Sequence, residues 1–452
     1  MNWPNSMSWP SSMSWPKWLG PMPGRREAHV MAWMALIAGV ILCITSVLLG
    51  FHGRTFMGRP LGGDFVEFYT VGKILNTYPP ARIYDLALAV RLQHETLPTM
   101  ADTQMLVFGQ SPYIGWLFRP FALLPYAWAY VAWLGFTAAL YLAGLATLFA
   151  AVRLKPEDRK TGYLLALSWA PFLFETWIGG QMAAFVFFVW ALFFWLIQNE
   201  RRFAAGLVLS LCLFKPTLVA LPAVMLLVSR RWRAASGLAV GGGAMVLASF
   251  FTVGWQGFRA WAAVLAYQGE VAVGPGDAWH RAKSVDMSAF FHLLLGNSQP
   301  LTSIVLILIG IAAVGLLGRA WWYNGNGPAT NELWAATLCF TLVVNAYAPI
   351  YDSVVVVVAV ALLASGDWSV RPEKDREAFA VWILLLYMLP WLTQAFAEFL
   401  HFQLITLVLA GFGGWALRLV SRSDVTLWSQ PKTEQEESTI PHHLQPRVAG
   451  RL

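Results

Sequence analysis

Residues 183–231 read AAFVFFVWALFFWLIQNERRFAAGLVLSLCLFKPTLVALPAVMLLVSRR. Two apolar runs flank the basic pair Arg201-Arg202, and a second basic pair, Arg230-Arg231, closes the stretch. An apolar run of about 17 to 25 residues crosses a bilayer as a helix, because a helix pairs its own backbone groups where no water can. The second run, 203–229, has basic clusters at both ends. The positive-inside rule keeps both ends on one side, which a single crossing cannot do. A single crossing would also place Lys215 near mid-bilayer, at a cost of about 2.5–3.5 kcal/mol. Two half-length helices meeting at Lys215-Pro216 remove both difficulties. Each half, roughly 18–21 Å long, is too short for a hydrocarbon core of about 30 Å. The turn is therefore expected in a protein-lined or water-filled recess, reached from the outer side.

The rest of the chain agrees with a membrane reading. Of 452 residues, 58% are hydrophobic and 12% charged, half the charged share of about 25% in soluble domains. Twenty-four Trp and 29 Phe suit a chain with many interfacial anchors. The net charge of +7 sits in short clusters between apolar runs, so a nucleic-acid-binding face is excluded. Cys43, Cys212 and Cys339 fall inside apolar runs without metal or disulfide spacing. The fold class expected is an all-α polytopic membrane protein of about 12 helical segments.

Lys and Arg set the orientation. Arg25 and Arg26 precede a first span at 30–51, and further clusters lie at 153–160, 201–202, 230–233, 371–376 and 418–422. Holding these inside puts the long connections 52–125 and 255–299 outside, with the short turns at 179–181, 349–352 and 398–401. Residues 1–29 form a leader with Trp3-Pro4, Trp9-Pro10 and Trp15-Pro16, 30–420 the membrane domain, and 421–452 a polar cytoplasmic tail. No cleavable signal peptide is expected.

Chemistry-bearing residues gather in the outer loops. GGDFVEFYTVGKIL (62–75) places Asp64 before an amphipathic helix carrying Phe65, Phe68 and Tyr69. Asp64 either caps that helix, with Glu67 completing a capping box, or stands as an ionised, oriented base. Asp85 is expected to cap the next helix. Arg119 is placed either to meet a lipid phosphate or to snorkel at the interface. Gln181 follows Gly179-Gly180 and is a turn residue or a ligand to sugar, while Asp352 either caps the Val-rich helix after it or joins the site. The second outer loop carries Asp277, His280, Arg281, Lys283 and Asp286, with Trp255, Trp261 and Trp279. His280 there is a candidate acceptor contact; its aspartate neighbours have no metal-ligand spacing, so no metal is expected. Glu398 and His401 mark a further outer turn.

GGDFVEFYTVGKILNTYPPARIYD (62–85), SPYIGWLFRPFALLPY (111–126), GGQMAAFVFFVWALFFWLIQNERRFAAGLVLSLCLFKPTLVALP (179–222) and Tyr351-Asp352 resemble, in order and spacing, glycosyltransferase family 87. The resemblance covers about residues 30–420. It implies the GT-C fold, a helical bundle with external amphipathic helices, and sugar transfer from a polyprenyl-phosphate donor such as polyprenol-phosphate-mannose. By resemblance, Asp64 is the general base, Gln181 and Lys215 face donor sugar or phosphate, and Tyr351-Asp352 is the late motif of that site. Tyr347 stands where family members often have His, so no histidine role carries over. Arg119 joins the donor-phosphate candidates; Glu67, Tyr347 and His280 are the acceptor candidates.

A prenyl-phosphate sugar is already activated, and no P-loop or Rossmann glycine pattern is present to hold a nucleotide. No cofactor is expected; the partners are the polyprenyl-phosphate sugar, a lipid or glycan acceptor, and membrane lipids. Two other functions compete. A lipid-linked oligosaccharide polymerase or ligase relies on Arg and His in a large late loop, and a transporter or flippase favours inverted repeats and mid-membrane charges. The expected location is the bacterial plasma membrane, with the active site extracytoplasmic and both termini cytoplasmic.

Overall fold

The computed structural model describes residues 25–49, 60–98, 100, 106–273, 281–295, 299–325 and 330–428. His280, Asp277 and Trp279, the leader to residue 24 and the chain beyond 428 lie outside the described residues. The apolar runs become helices: α1 (Arg25–Leu49), α2 (Phe65–Thr77), α3 (Leu86–Thr96), α4 (Tyr126–Ala151), α5 (Pro156–Leu167), α6 (Ala183–Gln198), α7 (Arg202–Leu209) and α8 (Thr217–Val228). They continue as α9 (Trp232–Val273), α10 (Met287–Leu295), α11 (Gln299–Asn324), α12 (Thr330–Val343), α13 (Val356–Ala364), α14 (Glu373–Leu400) and α15 (Leu404–Trp428). Among the described residues there is no strand, only an antiparallel bridge between Ser284 and Pro349. The protein is all-α and polytopic. Within α1, α4, α9, α11 and α14 lie five stretches long and apolar enough to cross a membrane. The pair Pro171–Ile178 and α6, bent by 116°, makes a sixth if counted as one span.

The stretch that opened the reading is broken where Lys215-Pro216 predicts. α7 tightens into a 3-10 turn, Ser210–Phe214, and the helix stops at Lys215 (φ −130°, ψ 74°) before α8 starts. α7 and α9 run parallel: Gly206 meets the Ala234 backbone, Gly237 the Phe203 carbonyl, and Gly242 the Leu213 side chain. Such contact needs residues without side chains at the crossing. Arg231, at the foot of α9, lies within electrostatic reach of Arg202 and Glu200. The chain therefore leaves that end along α7 and returns to it along α8. The two halves meet at Lys215.

Basic residues share that end of the bundle. Arg231 donates to the Gly325 carbonyl at 2.6 Å, Arg371 pairs with Glu332, and Lys155 faces Asp367. The connections that follow α1 and lead into α10 close the other end. Trp261 Nε1 donates to the Gly109 carbonyl at 3.0 Å, Ser111 Oγ to the Leu213 carbonyl at 3.4 Å, and Gln403 Nε2 to the Ala282 carbonyl at 2.8 Å.

Three expectations change. Residues 255–273, expected as loop, continue α9 after a kink at Gly254 (φ 63°, ψ −174°) and pack on the first outer connection, which accounts for Trp261; Trp255 is exposed. α2 is buried on nearly every side rather than amphipathic, because the short turns Pro112–Phe118 and Phe121–Leu123 fold over it. Phe68 stacks on Phe118 at 4.7 Å, and Phe65 on Trp133 at 5.5 Å. α15 runs to Trp428, past the expected start of the tail.

Candidate functional site

Two glycine turns build the site. Gly62 (φ 81°) and Gly63 (φ 52°) turn the chain into α2, and Gly180 (φ 74°) turns it towards α6. A Cβ on Gly63 would stand 2.8 Å from the Gly179 carbonyl oxygen, and one on Gly180 would strike the Gly62 carbonyl. Glycine accepts both the positive φ and the missing space. The Asp64 N–H then donates to the Gly179 carbonyl at 3.1 Å. Three side chains of α4 clamp the pair of turns: Tyr126 donates to the Leu61 carbonyl (2.5 Å), Tyr130 to Ile178 (2.7 Å) and Trp133 to Gly180 (2.9 Å). These residues were not singled out from the sequence, although polar-tipped aromatics spaced four and three apart share one helix face.

This docking delivers Gln181 to Asp64, whose Oδ2 accepts from the Gln181 amide. Asp64 occupies the N-cap position of α2 but makes no side-chain cap bond. The capping box of Asp64 and Glu67 is not formed. A capping residue needs β-region dihedrals, and Asp64 is helical at φ −74°, ψ −9°, which turns its carboxylate off its own helix. Asp85 does cap: at φ −78°, ψ 100° it accepts from Leu88 N–H at 3.0 Å and from Arg82 at 2.7 Å, and these partners hold its carboxyl below the usual range.

Glu67 lies one turn along α2 and is buried. Burial first, then the Asp64 charge, push its carboxyl well above the usual carboxylate range, while Gln110 and Lys215 pull it down.

Opposite stands Lys215, its Nζ 2.7 and 2.6 Å from the two oxygens of Asp352 and 4.5 Å from the centre of the Tyr351 ring. Asp352 caps nothing; both its oxygens are spent on the ammonium. The Asp352 carboxylate and the Tyr351 ring together hold the Lys215 ammonium in place. Tyr351 lies within electrostatic reach of Tyr347, Asp352, Asp64 and Glu67. Asp64, Gln181, Glu67, Lys215, Tyr347, Tyr351 and Asp352 therefore form one cluster.

Other candidates lie apart from it or carry structure. Arg119 Nε donates to Asn76 Oδ1 at 2.9 Å and its guanidinium covers Trp116 at 4.7 Å. Asn76 is twelve residues along α2 from Asp64, roughly 18 Å at the helical rise. Asp286 accepts from the N–H groups of Ala289 and Ala348, both at 2.8 Å, tying the second outer loop to the Tyr347 segment. Burial pushes its carboxyl up to about 7. Lys283 pairs with Glu175 at 3.1 Å, beside the Gly179-Gly180 turn. Glu398 and His401 are exposed at the end of α14. Among the described residues no three His, Cys, Asp or Glu side chains converge as a metal site.

The sequence model of Glycosyltransferase family 87 matches residues 110–349, more than half of the chain. The chain belongs to glycosyltransferase family 87. It is a membrane glycosyltransferase, with a sugar donor and an acceptor as substrates. Neither a curated protein nor a solved structure matches the chain. The stretch matched to the family contains Gln181, Lys215 and Tyr347; Asp64 and Glu67 precede it and Tyr351-Asp352 follows it. Folding brings the three groups together.

Proposed function

We propose that this glycosyltransferase moves a hexose, mannose by preference, from a polyprenyl-phosphate donor to a hydroxyl of a lipid or glycan acceptor. The site lies at the extracytoplasmic face of the bacterial plasma membrane, and both termini are cytoplasmic. One observation carries the chemistry: the Asp64 carboxylate is turned away from its own helix, held by Gln181, and faces a cluster whose cation is Lys215. The acceptor oxygen attacks the anomeric carbon as its bond to the phosphate oxygen breaks. The acceptor proton passes to Asp64, and the phosphate leaves with its charge stabilised by Lys215. A single displacement inverts the anomeric configuration. The collection of basic residues at the opposite end supports the orientation.

Purified protein in lipid nanodiscs, given polyprenyl-phosphate mannose and an acceptor glycolipid, tests the reading. Asp64→Asn keeps the shape and loses the base, so transfer should fall about 10²–10⁴-fold while thermal stability is retained. Undiminished transfer by Asp64→Asn rejects Asp64 as base.

A further inference from the structure

Asp64 and Lys215 are held by two separate frames. The wide π-helix Pro171–Ile178 frames the Asp64 side: its Phe174, Thr176 and Trp177 carbonyls accept from the N–H groups of Gly179 (2.9 Å), Gln181 (2.9 Å) and Gly180 (3.1 Å). That helix therefore fixes the turn on which Asp64 docks, through its N–H to Gly179 and its carboxylate to Gln181. The connection leading into α10 frames the Lys215 side. The Lys283 carbonyl accepts from Ile350 N–H at 2.8 Å, and Val285 N–H donates to the Ala348 carbonyl at 2.8 Å. These bonds hold the segment that runs directly into Tyr351-Asp352, the two residues that grip Lys215. One ion pair crosses from frame to frame: Lys283 Nζ stands 3.1 and 3.5 Å from the two oxygens of Glu175.

We propose that Lys283 and Glu175 are positioning residues for sugar transfer, their ion pair setting the spacing between the Asp64 side and the Lys215 side of the site. The inference rests on the proposed transferase chemistry. In a single displacement the attacking oxygen, the anomeric carbon and the leaving oxygen stand in line. The base and the cation must then sit on opposite sides of one carbon atom, at a fixed separation. Gln181 orients Asp64 and Asp352 orients Lys215, but each acts within its own frame. The Lys283–Glu175 pair ties the two frames to each other. Its side chains are 25% and 23% exposed, so solvent screens the pair and it adds only modestly to stability. Its loss should therefore show in the rate of transfer more than in folding.

The test uses the full-length protein in nanodiscs, with undecaprenyl-phosphate mannose as donor and octyl α-mannoside as acceptor. It compares kcat and donor KM for Lys283→Met, Glu175→Met and the double variant, with rates expressed per undecaprenyl phosphate site so that misfolded protein is not counted. Each single variant should lower kcat about 10–100-fold and leave donor KM unchanged, because the Lys215-Asp352 pair is intact. The double variant should be no slower than the slower single one, since both substitutions remove the same link. An unchanged kcat in either single variant overturns the proposal. So does a loss confined to donor KM, which would make Lys283 a donor contact, or losses that multiply in the double variant, which would give the two residues separate roles. Failure of the transferase reading looks different: the wild type itself then transfers no sugar.

Discussion

Lys215 and Asp352, 137 residues apart, form a two-oxygen ion pair at 2.6 and 2.7 Å, with Asp352 2% and Lys215 21% exposed. The pair joins the break between two short apolar helices to the turn that leads into α13. The ammonium is held in place before any anionic ligand arrives.

Breaking this pair from one side leaves a buried charge unmatched. Lys215→Met and Asp352→Leu should each cost about 3–5 kcal/mol of stability, and the double substitution should recover much of it. Thermal unfolding in nanodiscs measures the recovery. Transfer should stay lost in all three, because the cation proposed to meet the leaving phosphate is gone or misplaced.

Backbone contact between the glycine turns sets the position of the Asp64 carboxylate. Gly180→Ala meets both a positive φ and the Gly62 carbonyl, so transfer should drop more than about tenfold. Gly254→Ala has open space around it but φ 63° and ψ −174°, a region that side chains strongly avoid, and should cost about 1–3 kcal/mol of stability while sparing transfer. Initial rates and melting temperatures of the two variants separate strain from collision.

Gln181 donates to the Asp64 carboxylate, the base proposed above. Gln181→Glu replaces that donor by a like charge, which favours the protonated form of Asp64. The acidic limb of the pH–rate profile should therefore move to higher pH. A profile that moves to lower pH, or does not move, contradicts this role.

Burial raises the Asp286 carboxyl from 3.8 to about 7 in the folded protein. Between those values the native state holds a proton that the unfolded chain has released, so stability falls as pH rises from about 4 to about 7 and levels off above. The melting temperature of the wild type should carry this decline, and Asp286→Asn should reduce it. Asp286 ties the second outer loop to Ala348, so the decline should appear first as loosening of that loop in hydrogen exchange.

The proposed orientation places the Glu398 end of α14 outside and the Arg201 turn inside. Both residues are exposed, while Cys43, Cys212 and Cys339 are buried. In intact cells a membrane-impermeant maleimide should label Glu398→Cys directly, and Arg201→Cys only after permeabilisation. The reverse pattern would put the site on the cytoplasmic side.

Much of this was legible in the residue order. Lys215-Pro216, between two basic clusters, forces a break, because proline lacks a backbone donor and the clusters demand that both ends share a side. The structure keeps both the break and the return. Asp64 was legible as a residue of interest but not in its geometry, since the same GGDFVE pattern fits a capping box and only the dihedrals at Asp64 exclude one. The helix beyond Gly254 was not legible: residues 255–273 mix Trp, Gly and charged residues, and they are ordered by packing against an outer segment distant in the chain.

Composition and the placement of basic residues determined by themselves that this is a membrane bundle with a broken helix at Lys215, because hydrophobic length and charge placement act locally along the chain. That Gln181 meets Asp64, that Asp352 takes both its bonds from Lys215, and that Gln110 borders the cluster were decided by tertiary structure alone. Each joins residues scores of positions apart, and no local rule specifies which loops meet once the helices pack.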